Sequence, residues 1–357
     1  MSAPTEPLDV AVLGATGTVG QRFLALLEGH PWFRVRALVA SPRSAGKRYA
    51  DAVDWRLEGD VPDHAADLVV HSAEDAPDRD VTLALSGLDS SVAGTTETRW
   101  AEAGVFVVTN ASAHRMDPDV PLVVPEVNAD HMELARSQRF ERGGAIVANP
   151  NCSTIGLVLA LAPLHRAFGI EAVEVTTLQA ASGAGYPGVA SLDLLDNVVP
   201  FIRGEEDKLA EEPAKILGRL EGGAIEPAAL RVSAQCFRVA VVDGHTASVS
   251  VKLATSATAD DVLEAWRGHV PPRQGLPGET LRPLRYTARE DRPQPRLDRD
   301  AEAGMGVTLG RLRECPVLDW RFVALAHNTV RGAAGGALLV AEQAVLNGLC
   351  GRHAGRS

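Results

Sequence analysis

The sequence predicts an α/β protein: an N-terminal Rossmann-like doubly wound sheet, followed by a second α/β catalytic and dimerisation domain with a mixed sheet. Three observations lead to this fold class. An apolar run, Leu8 to Leu13, enters a glycine-rich turn and then an amphipathic helix through Leu27. Short apolar runs then alternate with helices or loops as far as Ala148. Beyond Gly169 longer alternating runs take over, which are typical of half-buried strands.

Composition limits the classes of function. The chain has 357 residues, 45% of them hydrophobic, and a formal net charge of −11. A surface that binds nucleic acid or anionic lipid needs an extended basic patch, so neither partner is expected. The four cysteines lie far apart without metal-ligand spacing, so we expect no metal site, no disulfide framework and a cytoplasmic location. No apolar run is long enough for a bilayer span, and Met1 to Pro7 and the GRHAGRS end are expected to be loose arms.

The first helix is expected to bind a dinucleotide. Glycines allow the backbone to approach a pyrophosphate, which the N–H groups of the helix can then bind. The spacing here is GxxGxxG, and a glycine-rich turn can also serve only to pack a helix on a sheet. The predicted contacts of this turn are Gly14, Thr16, Gly17, Thr18 and Val19.

The next predicted strand, Arg34 to Ala40, indicates which nucleotide is bound. No acid follows it to hold a ribose hydroxyl; Ser41, Arg43 and Ser44 stand there instead. Hydroxyls and a guanidinium suit a 2′-phosphate, so NADP(H) is the expected cofactor. The alternative is a solvated serine-proline loop.

Further strands are predicted to complete the first sheet. They are Leu68 to Val70, Val81 to Ser86, Val105 to Thr109 and Ala145 to Ala148. Arg115 follows one of them and could bind an anion, although a single loop arginine is more often a surface charge.

The stretch AIVANPNCST, from Ala145 to Thr154, places Cys152 at the start of a predicted helix. Ser153 and Thr154 could cap this helix, and it is expected to end at Phe168-Gly169. A helix N-terminus favours a thiolate and can hold an oxyanion, so Cys152 is the candidate nucleophile. A small buried cysteine is the alternative. The RVAVVDGH segment, which supplies Arg238 and His245, favours the nucleophile.

The second domain is predicted from five alternating segments, two of which look like a hairpin around Asp243-Gly244-His245. The segments are Glu171 to Gln179, Val232 to Val242, Thr246 to Ala254, Met305 to Leu312 and Asp319 to Leu325. A helix is expected from Glu205 to Leu220, where Glu205 could simply be a favourable helix start. Pro271 to Gly278 and Arg289 to Arg299 are expected to be irregular loops. A last helix, Ala333 to Leu349, is expected to return to the first domain and bring Asn328 near the cofactor.

Nine segments in this order resemble the archaeal and fungal branch of the aspartate-β-semialdehyde dehydrogenase family, over nearly the whole chain. They are GATGTVGQRF, ASPRSAGK, NASAHRM, VPLVVPEVN, NPNCST, QAASGAGYPG, RVAVVDGH, DRPQPRLDR and HNTVRGAAGG. One departure is Ser86-Gly87-Leu88-Asp89, where relatives usually carry an SALP-like turn.

The resemblance implies a role for each site residue. Cys152 would be the acyl-accepting nucleophile, His245 the acid and base, and Gln179 would orient the intermediate. Arg238 would bind the α-carboxylate and Glu205 the α-amino group. The phosphate would be held by Arg115, Asn151 and Lys208. Ser86, Ser182, Gly183 and Asn328 would join the cofactor contacts.

The implied activity is NADPH-dependent reductive dephosphorylation of L-aspartyl 4-phosphate to L-aspartate 4-semialdehyde through a Cys thioester, in the biosynthesis of lysine, threonine and methionine. The alternatives are a related acyl reductase, such as one for malonyl-CoA, a catalytically silent NADP-sensing protein, or aspartyl chemistry in a specialised pathway. The expected domains are 1–151, completed by 328–357, for NADP, and 152–327 for catalysis and dimerisation. A homodimer or homotetramer is implied.

Overall fold

The computed structural model describes residues 3–75, 80–271 and 274–350. Parts of the two predicted arms, residues 1–2 and 351–357, and two residues of the predicted loop Pro271 to Gly278 lie outside these ranges. No helix within them is both long and apolar enough to span a bilayer.

The first sheet has six parallel strands in the order β3-β2-β1-β4-β5-β6. The strands are β1 (Leu8–Leu13), β2 (Phe33–Ala40), β3 (Val70–Ser72), β4 (Leu83–Ser86), β5 (Phe106–Thr109) and β6 (Ala145–Ala148). Helices cover both faces, so β4, β5 and β6 are buried along their whole length, as their continuous apolar runs require. The strand order reverses between β1 and β4, which places the glycine turn at the switch point of the sheet.

Among the described residues of this part of the chain there are five helices. They are α1 (Thr18–Leu27), α2 (Tyr49–Ala52), α3 (Asp63–Ala66), α4 (Ser90–Glu102) and α5 (Pro125–Asn128), followed by a 3₁₀ segment, Ala129–Ser137. Gly14 has a φ of +75°, and a Cβ there would lie 2.7 Å from the Gly87 carbonyl oxygen. A side chain at this position would therefore separate the turn from the end of β4.

The second sheet has six strands in the order β10-β7-β11-β14-β13-β12 and is mixed. Its strands are β7 (Ile170–Gln179), β10 (Arg231–Arg238), β11 (His245–Leu253), β12 (Leu284–Thr287), β13 (Val307–Glu314) and β14 (Trp320–Ala326), and a separate ribbon contains β8 (Arg219–Glu221) and β9 (Ala224–Glu226). The fold class predicted from the sequence is confirmed.

The hairpin predicted around Asp243-Gly244-His245 is wrong. The two strands that flank these residues, β10 and β11, do not pair with each other, because β7 lies between them, parallel to β10 and antiparallel to β11. The short connection from Val239 to Gly244 therefore crosses the end of β7.

Six further helices lie in the described part of the chain after β6. They are α6 (Cys152–Phe168), α7 (Ser191–Leu194), α8 (Glu205–Ile216), α9 (Ala259–Gly268), α10 (Pro295–Asp298) and α11 (Gly335–Leu346), with short 3₁₀ segments at Ala181–Ala184 and Ala301–Gly304 and a π-helix at Val330–Ala334. Helix α8 ends before the predicted Leu220, and α10 interrupts the loop predicted from Arg289 to Arg299. Helix α11 shares a core with β1 and β4, so the terminal helix does return to the first sheet.

Helix α6 connects the two sheets, because it follows β6 and precedes β7. It begins at Cys152 itself, and its N-cap is Asn151, whose side-chain Oδ1 accepts from the Ser153 N–H at 2.9 Å. The predicted capping by Ser153 and Thr154 is wrong: both hydroxyls are buried and find no partner among the described residues. Gly169, with a φ of +67°, ends the helix as predicted.

Candidate active site

The candidate site is a cavity of about 240 Å³ at the carboxyl ends of the parallel strands. Its walls come from helix starts and loops that follow strands of the first sheet, from the end of β7 and the loop after it, from α8 and from the π-helix. The lining residues are Thr18, Val19, Ser90, Asn110, Ser112, Arg115, Asn151, Cys152, Gln179, Ser182, Gly183, Gly185, Glu205, Lys208, Asn328, Thr329, Gly332 and Ala333.

The mixed sheet delivers several of the predicted residues to one edge. Gln179 ends β7 and is paired in register with Arg238, which ends β10. Strand β11 runs the opposite way and begins at this edge with His245, which is paired with Ala326 at the end of β14. Asn328 follows two residues later. Strand direction thus gathers side chains that are far apart in the sequence.

Cys152 occupies the first position of α6, and its Sγ lies 3.3 Å from Nε2 of His245. Gly332 of the π-helix packs against it, since a Cβ at this glycine would lie 2.8 Å from the Cys152 Cβ. Cys152 therefore contacts an imidazole on one side and the π-helix at Gly332 on another. This pairing is typical of a nucleophilic cysteine.

The structure does not favour the predicted thiolate. Burial raises the pKa of Cys152 to about 12, and the Glu205 carboxylate raises it further, against the lowering effect of Arg115, Arg238 and Lys208. Removing the thiolate from water costs more than these cations return. The buried site therefore favours the thiol form of Cys152.

His245 is held by the backbone. Its Nδ1 accepts the Ala180 N–H at 3.0 Å, and the Ala180 carbonyl in turn accepts from Arg238 Nη1 at 2.7 Å. Burial, and then the Arg238 charge, lower the pKa of His245 to about 3. Gly183 passes so close that a Cβ there would lie 2.7 Å from Arg238 Nη1, which requires a residue without a side chain.

Glu205 is the centre of a hydrogen-bond network. Its carboxylate accepts from Asn151 Nδ2 at 2.9 and 3.0 Å, from Gln179 Nε2 at 3.1 Å and from Lys208 Nζ at 2.8 Å. Burial opposes the charge, but Lys208 and these donors prevail and lower the pKa of Glu205. The carboxylate is more than a helix start, because it ties the cap of α6 to the end of β7.

Two functional residues were missed by the sequence analysis. Glu212 accepts from Arg115 Nη1 at 3.0 Å and from the Asn151 backbone N–H at 2.8 Å. Lys215 donates to the carbonyls of Arg115, Asp117 and Val120, at 2.8 Å each. The signal was available: Glu212 and Lys215 recur at helical spacing after Glu205 and Lys208, which puts all four on one face of α8.

The predicted cofactor residues fall into two groups. Thr18 and Val19, at the start of α1, line the cavity, and Gly17 caps this helix without a side-chain hydrogen bond. Gly14, Thr16 and Gly17 form the turn that precedes α1. The second group, Ser41, Arg43 and Ser44, follows β2. This strand ends at the same edge of the sheet as its parallel neighbour β1, but the three residues do not line the cavity.

Four further predicted contacts differ in their surroundings. Ser86 does not line the cavity, and its hydroxyl donates to Glu97 at 2.5 Å, so a cofactor contact through this hydroxyl is not supported. Ser182 and Gly183 do line it. Asn328 donates to Ser182 Oγ at 2.8 Å and accepts from the Gly244 N–H at 2.8 Å, which fixes the residue before His245. No metal-binding cluster occurs within the described ranges.

Comparison with known proteins adds independent evidence. Family models match residues 9–135, as a semialdehyde dehydrogenase NAD binding domain, and residues 161–331, as a semialdehyde dehydrogenase dimerisation domain. The aspartate-semialdehyde dehydrogenase of Archaeoglobus fulgidus is 48% identical over 94% of this chain and 97% of its own, and that of Saccharomyces cerevisiae is 44% identical over 93% and 96%.

Solved structures agree with these relatives. The Candida albicans aspartate semialdehyde dehydrogenase with NADP has a TM-score of 0.88 at 42% identity, covering 96% of this chain and all of that one. The Vibrio cholerae enzyme II, complexed with ASA, has a TM-score of 0.77 at 28% identity, covering 96% and 99%. From sequence, domain matches and fold together, the chain belongs to the aspartate-semialdehyde dehydrogenase family.

Proposed function

We propose that the protein reduces L-aspartyl 4-phosphate to L-aspartate 4-semialdehyde with NADPH, through a thioester on Cys152, for the biosynthesis of aspartate-derived amino acids. The observation that carries the proposal is the 3.3 Å contact between Cys152 Sγ and His245 Nε2, because Cys152 also lines a cavity that contains a buried carboxylate and cations. The relative from Candida albicans is described with NADP, which fits this assignment.

The residues of the first sheet suit a nicotinamide dinucleotide. Helix α1 begins at Gly17 without a side-chain cap, so its first N–H groups can bind a pyrophosphate. Arg43 is exposed after β2, and the segment Ser41 to Ser44 contains no carboxylate that would repel a 2′-phosphate. When bound, NADPH supplies the hydride. Ser182, Gly183 and Asn328 would meet it from the second sheet.

Each charged group of an aspartyl phosphate would find a complement in the cavity or, for Arg238, beside it. Arg238 would bind the α-carboxylate as a two-pronged donor and Glu205 the α-amino group. Lys208 lines the cavity and would hold the phosphate together with Arg115, whose Nε has no partner among the described residues. Asn151, expected to join them, already donates to Glu205 and would have to turn from it.

The chemistry divides into two steps at Cys152. Its sulfur attacks the acyl carbon and phosphate departs, which gives a thioester that Gln179 would help to orient. Hydride addition to the thioester carbonyl then expels the sulfur and releases the aldehyde. The backbone N–H groups at the start of α6 would stabilise negative charge on the acyl oxygen, and His245 would act as the acid and base for the proton transfers of the two steps.

We further propose that the chain assembles as a homodimer or homotetramer. Large apolar side chains are exposed between residues 186 and 201, with Leu192 at 87% and Phe201 at 64%. They lie within the matched dimerisation domain. Residues 1–151 with 328–357 would form the cofactor domain and 152–327 the catalytic domain. The described cysteines are all free, which suits the reducing cytoplasm.

The test is reduction of NADP by the purified protein with aspartate semialdehyde, with and without phosphate. Phosphate-dependent reduction that is lost in Cys152→Ser supports the proposal. Activity only with malonyl-CoA and NADPH would keep the cysteine chemistry and replace the substrate. Bound NADP without turnover in either assay would identify a sensor protein.

A further inference from the structure

We propose that Arg56 and Tyr186 form a clasp that holds the loop 181–188 against the cofactor cleft and opens when NADP(H) enters or leaves. Neither residue lines the catalytic cavity. Both are positioning residues, because they act through the loop and not on the reacting atoms. The clasp would serve the cofactor of the proposed function, on which this inference rests.

The contact between the two side chains has two components. The Arg56 guanidinium carbon lies 4.1 Å from the centroid of the Tyr186 ring, and Nη2 donates to the Tyr186 hydroxyl at 2.7 Å. The same nitrogen donates to the Asp54 carboxylate, which holds the guanidinium from its own side. Arg56 and Tyr186 are 130 residues apart in the chain, so the contact joins two separate parts of the fold.

Arg56 is tied to the glycine turn before α1. Gln21, which is buried in α1, accepts the Arg56 backbone N–H through Oε1 at 2.8 Å. Its Nε2 donates to the carbonyls of Thr16 and Asp54, at 3.0 Å each. One side chain therefore connects the turn that would bind the pyrophosphate to the segment that carries the guanidinium. Thr18 of the same helix lines the cavity from this side.

Tyr186 lies in a loop that has few restraints of its own. The glycines on either side of Tyr186-Pro187, Gly185 and Gly188, have φ values of +69° and +79°. Tyr186 is 63% exposed, and its hydrogen bond to Arg56 is the only one that it makes within the described ranges. Ser182 and Gly185 of the same loop line the cavity. Holding Tyr186 therefore holds this wall of the cavity in place.

The clasp thus joins two walls of one cavity through a contact that solvent can reach. An exposed guanidinium on a ring and one hydrogen bond are weak enough to separate in every catalytic cycle, yet strong enough to change a rate of exchange several-fold. Loop opening of this kind commonly limits product release while the chemical step is unaffected. We therefore expect the closed clasp to slow the dissociation of NADP(H) without altering the chemistry at Cys152.

The first test measures NADPH dissociation by stopped-flow fluorescence, with excess NADP to prevent rebinding. Arg56→Ala and Tyr186→Ala should each release NADPH about 3- to 10-fold faster than the wild type, and the double variant no faster than either single variant. The matched control is Arg34→Ala, which removes an exposed arginine, paired with Asp9, from the start of β2 and should release NADPH at the wild-type rate. Unchanged release in a clasp variant, or effects that add in the double variant, would overturn the proposal.

The second test separates positioning from direct binding of the nucleotide. Arg56→Lys keeps the charge but loses the planar group that stacks and donates at once, so it should release NADPH nearly as fast as Arg56→Ala. Release at the wild-type rate would show that charge alone matters and would reject the clasp.

A single-turnover measurement completes the design. With saturating NADP and phosphate, the clasp variants should oxidise aspartate semialdehyde within about twofold of the wild-type rate, and slower chemistry would contradict the proposal. A wild-type protein that binds NADPH but does not react with aspartate semialdehyde and phosphate rejects the proposed function instead, and the dissociation rates still test the clasp.

Discussion

Replacing Glu205 with glutamine should change catalysis and the reactivity of Cys152 in opposite directions. The carboxylate accepts from Asn151, Gln179 and Lys208 at 2.8–3.1 Å and is one of the two causes that raise the pKa of Cys152. Glu205→Gln removes this charge while keeping the shape of the side chain. The pKa of Cys152 should fall but stay above its usual value, because burial remains.

The magnitude for substrate binding follows from the bond that is lost. A hydrogen bond to a charged group contributes about 1.5–3 kcal/mol, so losing the ammonium contact should raise KM for aspartate semialdehyde about 10- to 100-fold. The glutamine amide would also point an N–H group at donors whose hydrogen bonds the Glu205 carboxylate accepts. Because two donors would then face each other, the free energy of unfolding should fall by about 2 kcal/mol.

The assays are steady-state kinetics and the rate of Cys152 alkylation by iodoacetamide as a function of pH. We expect slower turnover together with alkylation that begins at lower pH. The matched control is Asp207→Asn, the same acid-to-amide change at an exposed position in the same turn of α8, which should alter neither. Alkylation unchanged in Glu205→Gln, or an unchanged KM, would refute the reasoning.

Three further predictions concern the supports of the site. Gly332→Ala would place a Cβ 2.8 Å from the Cys152 Cβ. Turnover should fall at least about 100-fold and the free energy of unfolding by about 1–3 kcal/mol, as measured by kinetics and urea unfolding. The control Gly268→Ala, which has open space around it, should leave both quantities unchanged. Lys215→Met should leave three carbonyls without their hydrogen-bond donor, lower the free energy of unfolding by about 3 kcal/mol and raise the KM for phosphate. In urea unfolding, the control Lys252→Met, at an exposed ion pair, should lose less than about 1 kcal/mol of unfolding free energy. Burial lowers the pKa of His269 to about 4, so below about pH 6.5 the unfolded chain takes up a proton that the folded chain does not. As the pH is lowered from there, the free energy of unfolding should fall by about 1.4 kcal/mol per pH unit. His269→Gln should flatten this slope in urea titrations at about pH 5 and 7, and an unchanged slope would contradict the assignment.

The local features of this chain were predictable from sequence. The turn at Gly14, the start of α6 near Cys152 and the end of this helix at Gly169 depend on backbone geometry and spacing over a few residues. The thiolate was mispredicted because a helix start is visible in the sequence, whereas the burial that raises the pKa of Cys152 depends on how the two sheets meet. The Glu212 and Lys215 contacts were missed because only the first turn of α8, with Glu205 and Lys208, was considered, although the helical spacing points to all four side chains.

The strand order that replaces the predicted hairpin explains how the site is arranged. If β10 and β11 were paired directly, Arg238 and His245 would be neighbours, and the end of β7 would lie outside them. Instead β7 runs between these strands, so its end brings Gln179 and Ala180 between the guanidinium and the imidazole. Ala180 then accepts from Arg238 and donates to His245, which is 65 residues away in the chain. The strand order of the mixed sheet, which no local pattern encodes, thus determines which nitrogen of His245 faces the sulfur.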